Sequence, residues 1–204
     1  MIEEVRAALR ADSSQPILSL TQEDNDQYCQ CADCKALDAY EGAQSGTILH
    51  FVNAVADAIK DEFPNVRIDT FAYWYSRTPP KHVKPRDNVI VRLCSIECCF
   101  AHALNDPCCA VNAPFAEDIK NWSKICKSLY IWDYTTNFSC YNVIFPNFGV
   151  LQKNMQFFVE HNAKGVFEQG NSDVLWGANS EFADLRGYLL PGCYGIPTWI
   201  TARR

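Results

Sequence analysis

Residues 88–97 read NVIVRLCSIE. Val89, Ile90 and Val91 are consecutive β-branched residues, and Leu93 and Cys94 follow after a single arginine. No polar face alternates with an apolar one, so the run predicts a strand buried on both sides. Such strands belong to parallel sheets covered by helices. The apolar run then stops in Ser95-Ile96-Glu97, where a carboxylate follows the strand directly.

Working outward, four further strands are expected: PILSLTQ (16–22), VRIDTFAYW (66–74), SLYIWDY (128–134) and KGVFEQG (164–170). Apolar residues at helical spacing lie around and between them. Ile2, Val5 and Leu9 form one stripe; Ile48, Val52, Val55 and Ile59 form another, closed by Pro64. Ile119, Trp122 and Ile125 mark a helix begun by Glu117 or Asp118, and Leu151, Met155 and Phe158 mark the next. Phe182, Leu185 and Leu189 follow a cap-like Asn179-Ser180-Glu181 stretch. The Cys-bearing segment after the first strand and the TPPKHVKP segment read as loops. Alternating strands and helices predict an α/β fold with a parallel sheet. An open doubly wound sheet and a (β/α) barrel both satisfy the pattern. No G-x-G-x-x-G follows any strand, which removes the main dinucleotide-binding signature. No repeat or linker divides the chain, so one domain is expected.

The 204 residues are 48% apolar with a formal charge of −6, a composition that supports a sizeable core. An acidic chain without a basic cluster argues against a nucleic-acid partner. Charges interrupt every apolar run before it reaches membrane-spanning length. The N-terminal MIEEVRAALR is amphipathic and partly acidic, unlike a secretory signal. As written the chain would stay in the cytoplasm, whereas a longer precursor could be exported.

Each predicted strand delivers polar or aromatic groups at its C-terminal end. Gln22-Glu23-Asp24-Asn25 ends the first, Tyr73-Trp74-Tyr75 the second and Glu97 the third. Trp132-Asp133-Tyr134 ends the fourth and Glu168-Gln169 the fifth. In a (β/α) barrel these ends open on one face, where active sites are built. Carboxylates beside aromatic faces suit sugar chemistry: one acid protonates the leaving oxygen, another stabilises the oxocarbenium-like centre, and rings stack on pyranose faces. The competing reading is that these residues merely start solvated loops.

The eleven cysteines are an odd number, so they cannot all pair within the chain. YCQCADCK places Cys29, Cys31 and Cys34 close enough to be candidate zinc ligands, but no second C-x-x-C completes a zinc motif. Disulfides involving Cys98, Cys99, Cys108 or Cys109 are an equal alternative. No histidine is placed by motif to serve a catalytic cysteine, and His102 reads as a loop or substrate-contact residue.

Taken together, EDNDQYCQCADC, VRLCSIECCFAHAL, LYIWDYTTNFSCY, FPNFGVLQKN and GVFEQGN resemble a bacterial glycoside-hydrolase-like barrel family. It is catalogued as domain of unknown function 4838 and is common in gut Bacteroidetes; some members are endo-β-N-acetylglucosaminidases that release N-glycans. The resemblance implies a partial TIM-type (β/α) barrel supplying about five C-terminal βα units of the eight in a full barrel, with the N-terminal half missing. It implies an oligosaccharide or N-glycan substrate, a periplasmic or extracellular setting for the full-length protein, and no cofactor. Glu97 and Glu168 are the implied catalytic acids, their two roles unassigned, with Asp24 and then Asn25 next. The acetamido oxygen of the substrate would act as the nucleophile. Trp74, Tyr75, His102, Asp133, Tyr134 and Gln169 become expected substrate contacts. Three alternatives stay open: a carbohydrate-binding remnant without catalysis, a cysteine-rich metal module, and a uronic-acid-releasing hydrolase. The last would need a basic clamp from Arg77, Lys81, Lys84, Arg86 or Arg92.

The resemblance covers residues 1–190. The tail 191–204, PGCYGIPTWITARR, lacks a helical stripe. Back-translated and read one base earlier, CYGIPTWIT becomes LLWDSDMDN, which continues a helix. A frameshift near residue 191 is therefore expected.

Overall fold

The computed structural model describes residues 1–12, 14–141, 143–170 and 181–194. Five parallel strands alternate with helices: β1 (Ile17–Ser19), β2 (Arg67–Ala72), β3 (Val89–Cys94), β4 (Leu129–Tyr134) and β5 (Gly165–Gln169). Their order in the sheet is β1-β2-β3-β4-β5, the same as their order in the chain. A doubly wound sheet reverses direction at a switch point. Consecutive placement without reversal is the topology of successive βα units, so the fold is α/β and consistent with a partial (β/α) barrel. Among the described residues no helix is long and apolar enough to cross a membrane.

The chain divides into two compact units, one of residues 1–94 with 121–129 and one of residues 95–120 with 130–204. In the first, α1 (Ile2–Ala11) buries Val5 and Leu9, and α3 (Ser45–Ile59) buries Leu49, Val52, Val55, Ala56 and Ile59. The pairs Ile68↔Val89, Thr70↔Val91 and Ala72↔Leu93 share one sheet face, and all six residues are buried. Each fully buried aliphatic side chain stabilises the fold by about 1.5–3 kcal/mol relative to exposure. The opposite face carries Asp69 and Arg92 beside Phe71 and the buried Ile90. There Asp69 accepts a hydrogen bond from Ser19 Oγ at 2.9 Å and pairs with Arg92 Nη2 at 3.0 Å, while Arg92 lies over the Phe71 ring.

Two expectations in this unit need correction. The first strand was expected over 16–22 and buried, yet only three residues pair and Ile17 is exposed. Within the sheet β1 has a single neighbour, β2, so few backbone groups hold it. The Cys-bearing segment contains a helix, α2 (Ala32–Glu41), rather than a loop. Cys31 caps its start, and Gly42 ends it at φ 75°, a left-handed conformation suited to glycine. The apolar stripe that would have signalled it is missing, since Glu41 is its one buried residue.

In the second unit α4 (Ala113–Ile125), whose last five residues belong to the first, begins four residues before Glu117. The N–H groups of Ala113 and Ala116 bond the carbonyls of Cys109 and Asn112, and Pro114 is tolerated in a first turn that lacks N–H partners anyway. In α5 (Leu151–Glu160), Leu151, Met155 and Phe158 are buried as expected. The last helix, α6 (Ala183–Tyr194), turns a different face inward: Phe182, just before its start, and Leu185 are exposed, whereas Arg186 and Leu190 are buried. Arg186 goes inside because its guanidinium bonds Asn147, the Phe145 carbonyl and the Glu181 carboxylate, and lies 4.0 Å from the centre of the Phe148 ring. Pro191 lies within α6. Asn179, Ser180 and residues 195–204 of the tail fall outside the described residues.

Candidate functional site

In the first unit the ends of β1 and β2 meet. The chain leaves β2 through Tyr73 into a single 3-10 turn, Trp74–Ser76. Trp74 sits at φ 52°, a left-handed conformation that costs a non-glycine residue energy. Hydrogen bonds hold it there: Ser76 Oγ donates to the Tyr73 carbonyl at 2.9 Å and accepts from the Tyr73 N–H at 3.2 Å and from Gln22 Nε2 at 2.8 Å. The result is an indole ring that is 47% exposed. Beside it, the Tyr73 hydroxyl donates to Asp24 Oδ1 at 3.0 Å. Asn25 shapes the preceding turn by accepting from the Gln27 N–H at 2.8 Å.

Tyr75 packs on Tyr28, with ring centres 5.1 Å apart, and burial pushes its phenol above the ordinary value. Both tyrosines line a cleft of about 290 Å³ with Leu20, Gln22, Cys29 and Phe51. At its rim the sulfurs of Cys29, Cys31 and Cys34 lie within 4.8 Å of one another. Cys31 accepts from the Cys34 N–H, and that bond and the neighbouring thiols hold it below the ordinary thiol value; Cys34 is pushed up to about 12 by its bonding to Cys29 and Cys31. Such a trio suits a soft metal. The ten described cysteines are free thiols, so the disulfides expected as an alternative are not formed.

Sequence reasoning passed over Glu41, the most constrained carboxylate of this unit. Its Oε1 lies 2.8 Å from His50 Nε2, and its Oε2 accepts from the N–H groups of His82 and Val83 at 2.8 and 3.1 Å. Burial would raise its carboxyl, but the bonds from His50, Val83 and His82 together hold it below the usual value. It pins the TPPKHVKP segment against α2. Nothing in the sequence marks it, because two of its three partners are backbone N–H groups 41 and 42 positions away.

In the second unit Glu97 is exposed in the turn closed by the Cys98 N–H to Ser95 carbonyl bond. Asp133 and Glu168 are register partners on neighbouring strands, so their side chains share a sheet face. Asp133 is buried and accepts from Ser95 Oγ; burial pushes it up to about 6, against the hydrogen bonds from Ser95 and the Tyr134 N–H. Glu168 is half-buried, with its carboxylate oxygens shielded from solvent. Gln169 Oε1 accepts from Trp132 Nε1 at 2.9 Å. Tyr134 is buried in an aromatic cluster with Phe100 and Phe138.

His102 provides the clearest surprise. Its Nδ1 lies 3.2 Å from Cys99 Sγ, so a histidine does stand beside a cysteine despite the lack of a motif. The hydrogen bond between them holds the Cys99 thiol below its ordinary value and raises the His102 imidazole.

The model of the domain of unknown function DUF4838 matches residues 1–191. The chain belongs to the DUF4838 family. No curated protein matches it. Among solved structures, this DUF4838 chain is similar to the crystal structure of the clostridial cellulose synthase subunit Z from Clostridioides difficile. The two share 8% identity at a TM-score of 0.47, over 95% of this chain and 79% of that one.

Proposed function

We propose that this protein acts on carbohydrate as an O-glycosyl hydrolase, with Glu97 and Glu168 as its acid pair and Asp24 as a third carboxylate. The observation that carries the reading is the group at the end of β2. A strained backbone exposes the Trp74 ring, its centre 5.6 Å from that of the Tyr73 ring, whose hydroxyl orients the Asp24 carboxylate. Backbone strain that surrounding hydrogen bonds over-determine clusters at ligand sites. A ring face next to an oriented carboxylate matches a pyranose, which offers an apolar face and a fringe of hydroxyls.

The finer reading is an endo-β-N-acetylglucosaminidase that cleaves N-glycans outside the cytoplasm, in the periplasm or beyond it. One glutamate protonates the departing glycosidic oxygen while the 2-acetamido oxygen of the substrate attacks the anomeric carbon. The other carboxylate orients the acetamido group, and water then opens the cyclic intermediate as the first glutamate takes back a proton. Tyr134, His102, Gln169 and Asp133 serve as subsite residues of the second unit, Asp133 from its buried position, and Asn25 and Tyr75 go with the Trp74 group of the first.

A uronic-acid-releasing activity fits less well. Among the candidate clamp residues, Arg86 is engaged with Asp57 at 2.8 Å and Arg92 with the buried Asp69 at 3.0 Å.

A fluorescence titration with N-acetylglucosamine oligosaccharides tests the carrying observation. Saturable quenching that Trp74→Ala weakens about tenfold, worth about 1.4 kcal/mol, is expected. Binding untouched by Trp74→Ala and Asp24→Asn, or no binding at all, would overturn it.

A further inference from the structure

The segment after β3, ECCFAHALNDPCC (97–109), brings together two thiols and an imidazole, of which the glycan reading draws only on His102, as a subsite residue. We infer that Cys99, His102 and Cys109 form a zinc site with two thiolates, one imidazole and a fourth position left to solvent. This inference stands independently of the proposed hydrolase.

The donor atoms, two sulfurs and one ring nitrogen, all lie within 4.8 Å of one another. With Zn–S near 2.3 Å and Zn–N near 2.0–2.1 Å, ligand atoms in a tetrahedral site sit about 3.5–3.8 Å apart. The Cys99–His102 separation of 3.2 Å is already at that scale. Drawing Cys109 in requires a shift of about 1 Å at most. Thiolate and imidazole donors select zinc over magnesium or calcium, which need oxygen ligands.

The backbone is arranged around these donors. Asn112, fully buried, accepts from the Cys99 N–H at 2.7 Å and donates to the carbonyls of Cys99, His102 and Ala103 at 2.9, 3.3 and 3.2 Å. One side-chain amide thus fixes the peptides of two ligands. The third, Cys109, is held by its N–H to the Asp106 carbonyl and accepts from the N–H of Ala113 at the start of α4. A second buried amide, Asn154 of α5, accepts from the Leu104 N–H at 2.9 Å and anchors the middle of the segment. A nucleophilic Cys–His pair would not need the buried Cys109 thiol beside it, whereas a metal does. His102 is exposed and Cys99 half-exposed, so solvent reaches the fourth position. Binding releases the thiol protons to solvent and ties the Glu97 turn to the start of α4.

The test separates this site from the Cys29, Cys31 and Cys34 trio. In a Cys29→Ser, Cys31→Ser, Cys34→Ser background, the reduced protein is titrated with Co2+ and its absorption recorded. One cobalt per chain is expected, with tetrahedral d–d bands and thiolate charge transfer. Cys99→Ser and Cys109→Ser should each remove about half of the charge transfer, since two thiolates become one, and Cys108→Ser should leave it unchanged. A second readout needs no ligand variants. Zn2+ should shield Cys99 and Cys109 from iodoacetamide, mapped by mass spectrometry, while Cys108 still reacts. Failure of the background protein to bind cobalt, charge transfer insensitive to both serine variants, or alkylation of Cys99 and Cys109 unaffected by Zn2+ would overturn the inference.

Discussion

The Tyr73 hydroxyl donates to Asp24 Oδ1 across 3.0 Å, tying the end of β2 to the turn after β1. The two residues are 49 positions apart in sequence. Between the same two strand ends, Gln22 bonds the turn that holds Trp74 in its left-handed conformation. Strand end, strained turn and exposed ring form one hydrogen-bonded assembly.

Strain at Trp74 separates stability from function. An L-residue in the left-handed region costs about 1–2 kcal/mol that glycine does not. Trp74→Gly should therefore be more stable than Trp74→Ala by about 1 kcal/mol in urea melts, while both lose oligosaccharide binding. Equal stability of the two variants would show that the turn is unstrained.

Glu41 should govern acid stability of the first unit. Its carboxyl is lower in the folded state, so its contribution is complete above the unfolded carboxylate value and fades as pH falls through the folded one. Glu41→Gln should cost about 1–3 kcal/mol at pH 7 by leaving buried donors poorly matched. The gap to wild type should narrow as pH falls below the ordinary carboxylate value of about 4. Urea melts at pH 7 and pH 3.5 check both statements.

Asp133 should act in the opposite sense. Its folded value is raised to about 6, so the folded state binds the proton more tightly and stability falls as pH climbs from about 4 to 6. Asp133→Asn removes that dependence. The variant should gain about 1–3 kcal/mol on wild type between pH 4.5 and pH 7.5, read from the difference between paired denaturation curves. A gap that stays constant with pH would place the charged carboxylate in a well-solvated setting.

Arg186 should tolerate no neutral replacement. Its partners Glu181 and Asn147 are buried with it, so Arg186→Met leaves a carboxylate without its counter-charge and should cost about 3–5 kcal/mol. Arg186→Lys cannot reproduce the planar contact with Phe148 and should recover only part of that loss. Thermal melts of the two variants beside wild type give the comparison.

The strands were legible in the sequence because their apolar runs are local: NVIVRLC and SLYIWDY yield β3 and β4 to within one residue. Their consecutive order, which selects the barrel topology, was not, since periodicity carries no pairing information. The helix α2 escaped notice for want of an apolar stripe, and α6 was turned to the wrong face because Arg186 satisfies its charge inside. At the site, strand-end acids and aromatics could be named from their positions. The Tyr73–Asp24 bond, the Glu41 anchor and the Cys99–His102–Cys109 cluster depend on loop geometry that no spacing encodes.

The most direct measurement incubates the protein with an N-glycosylated protein and weighs the products by mass spectrometry, beside Glu97→Gln and Glu168→Gln. The expected result is a protein left with a single N-acetylglucosamine at each glycosylation site by wild type, and untouched by either variant. Glycoprotein of unchanged mass after wild-type treatment, or cleavage that survives both substitutions, would contradict the assignment of a glycosidase built on these two glutamates.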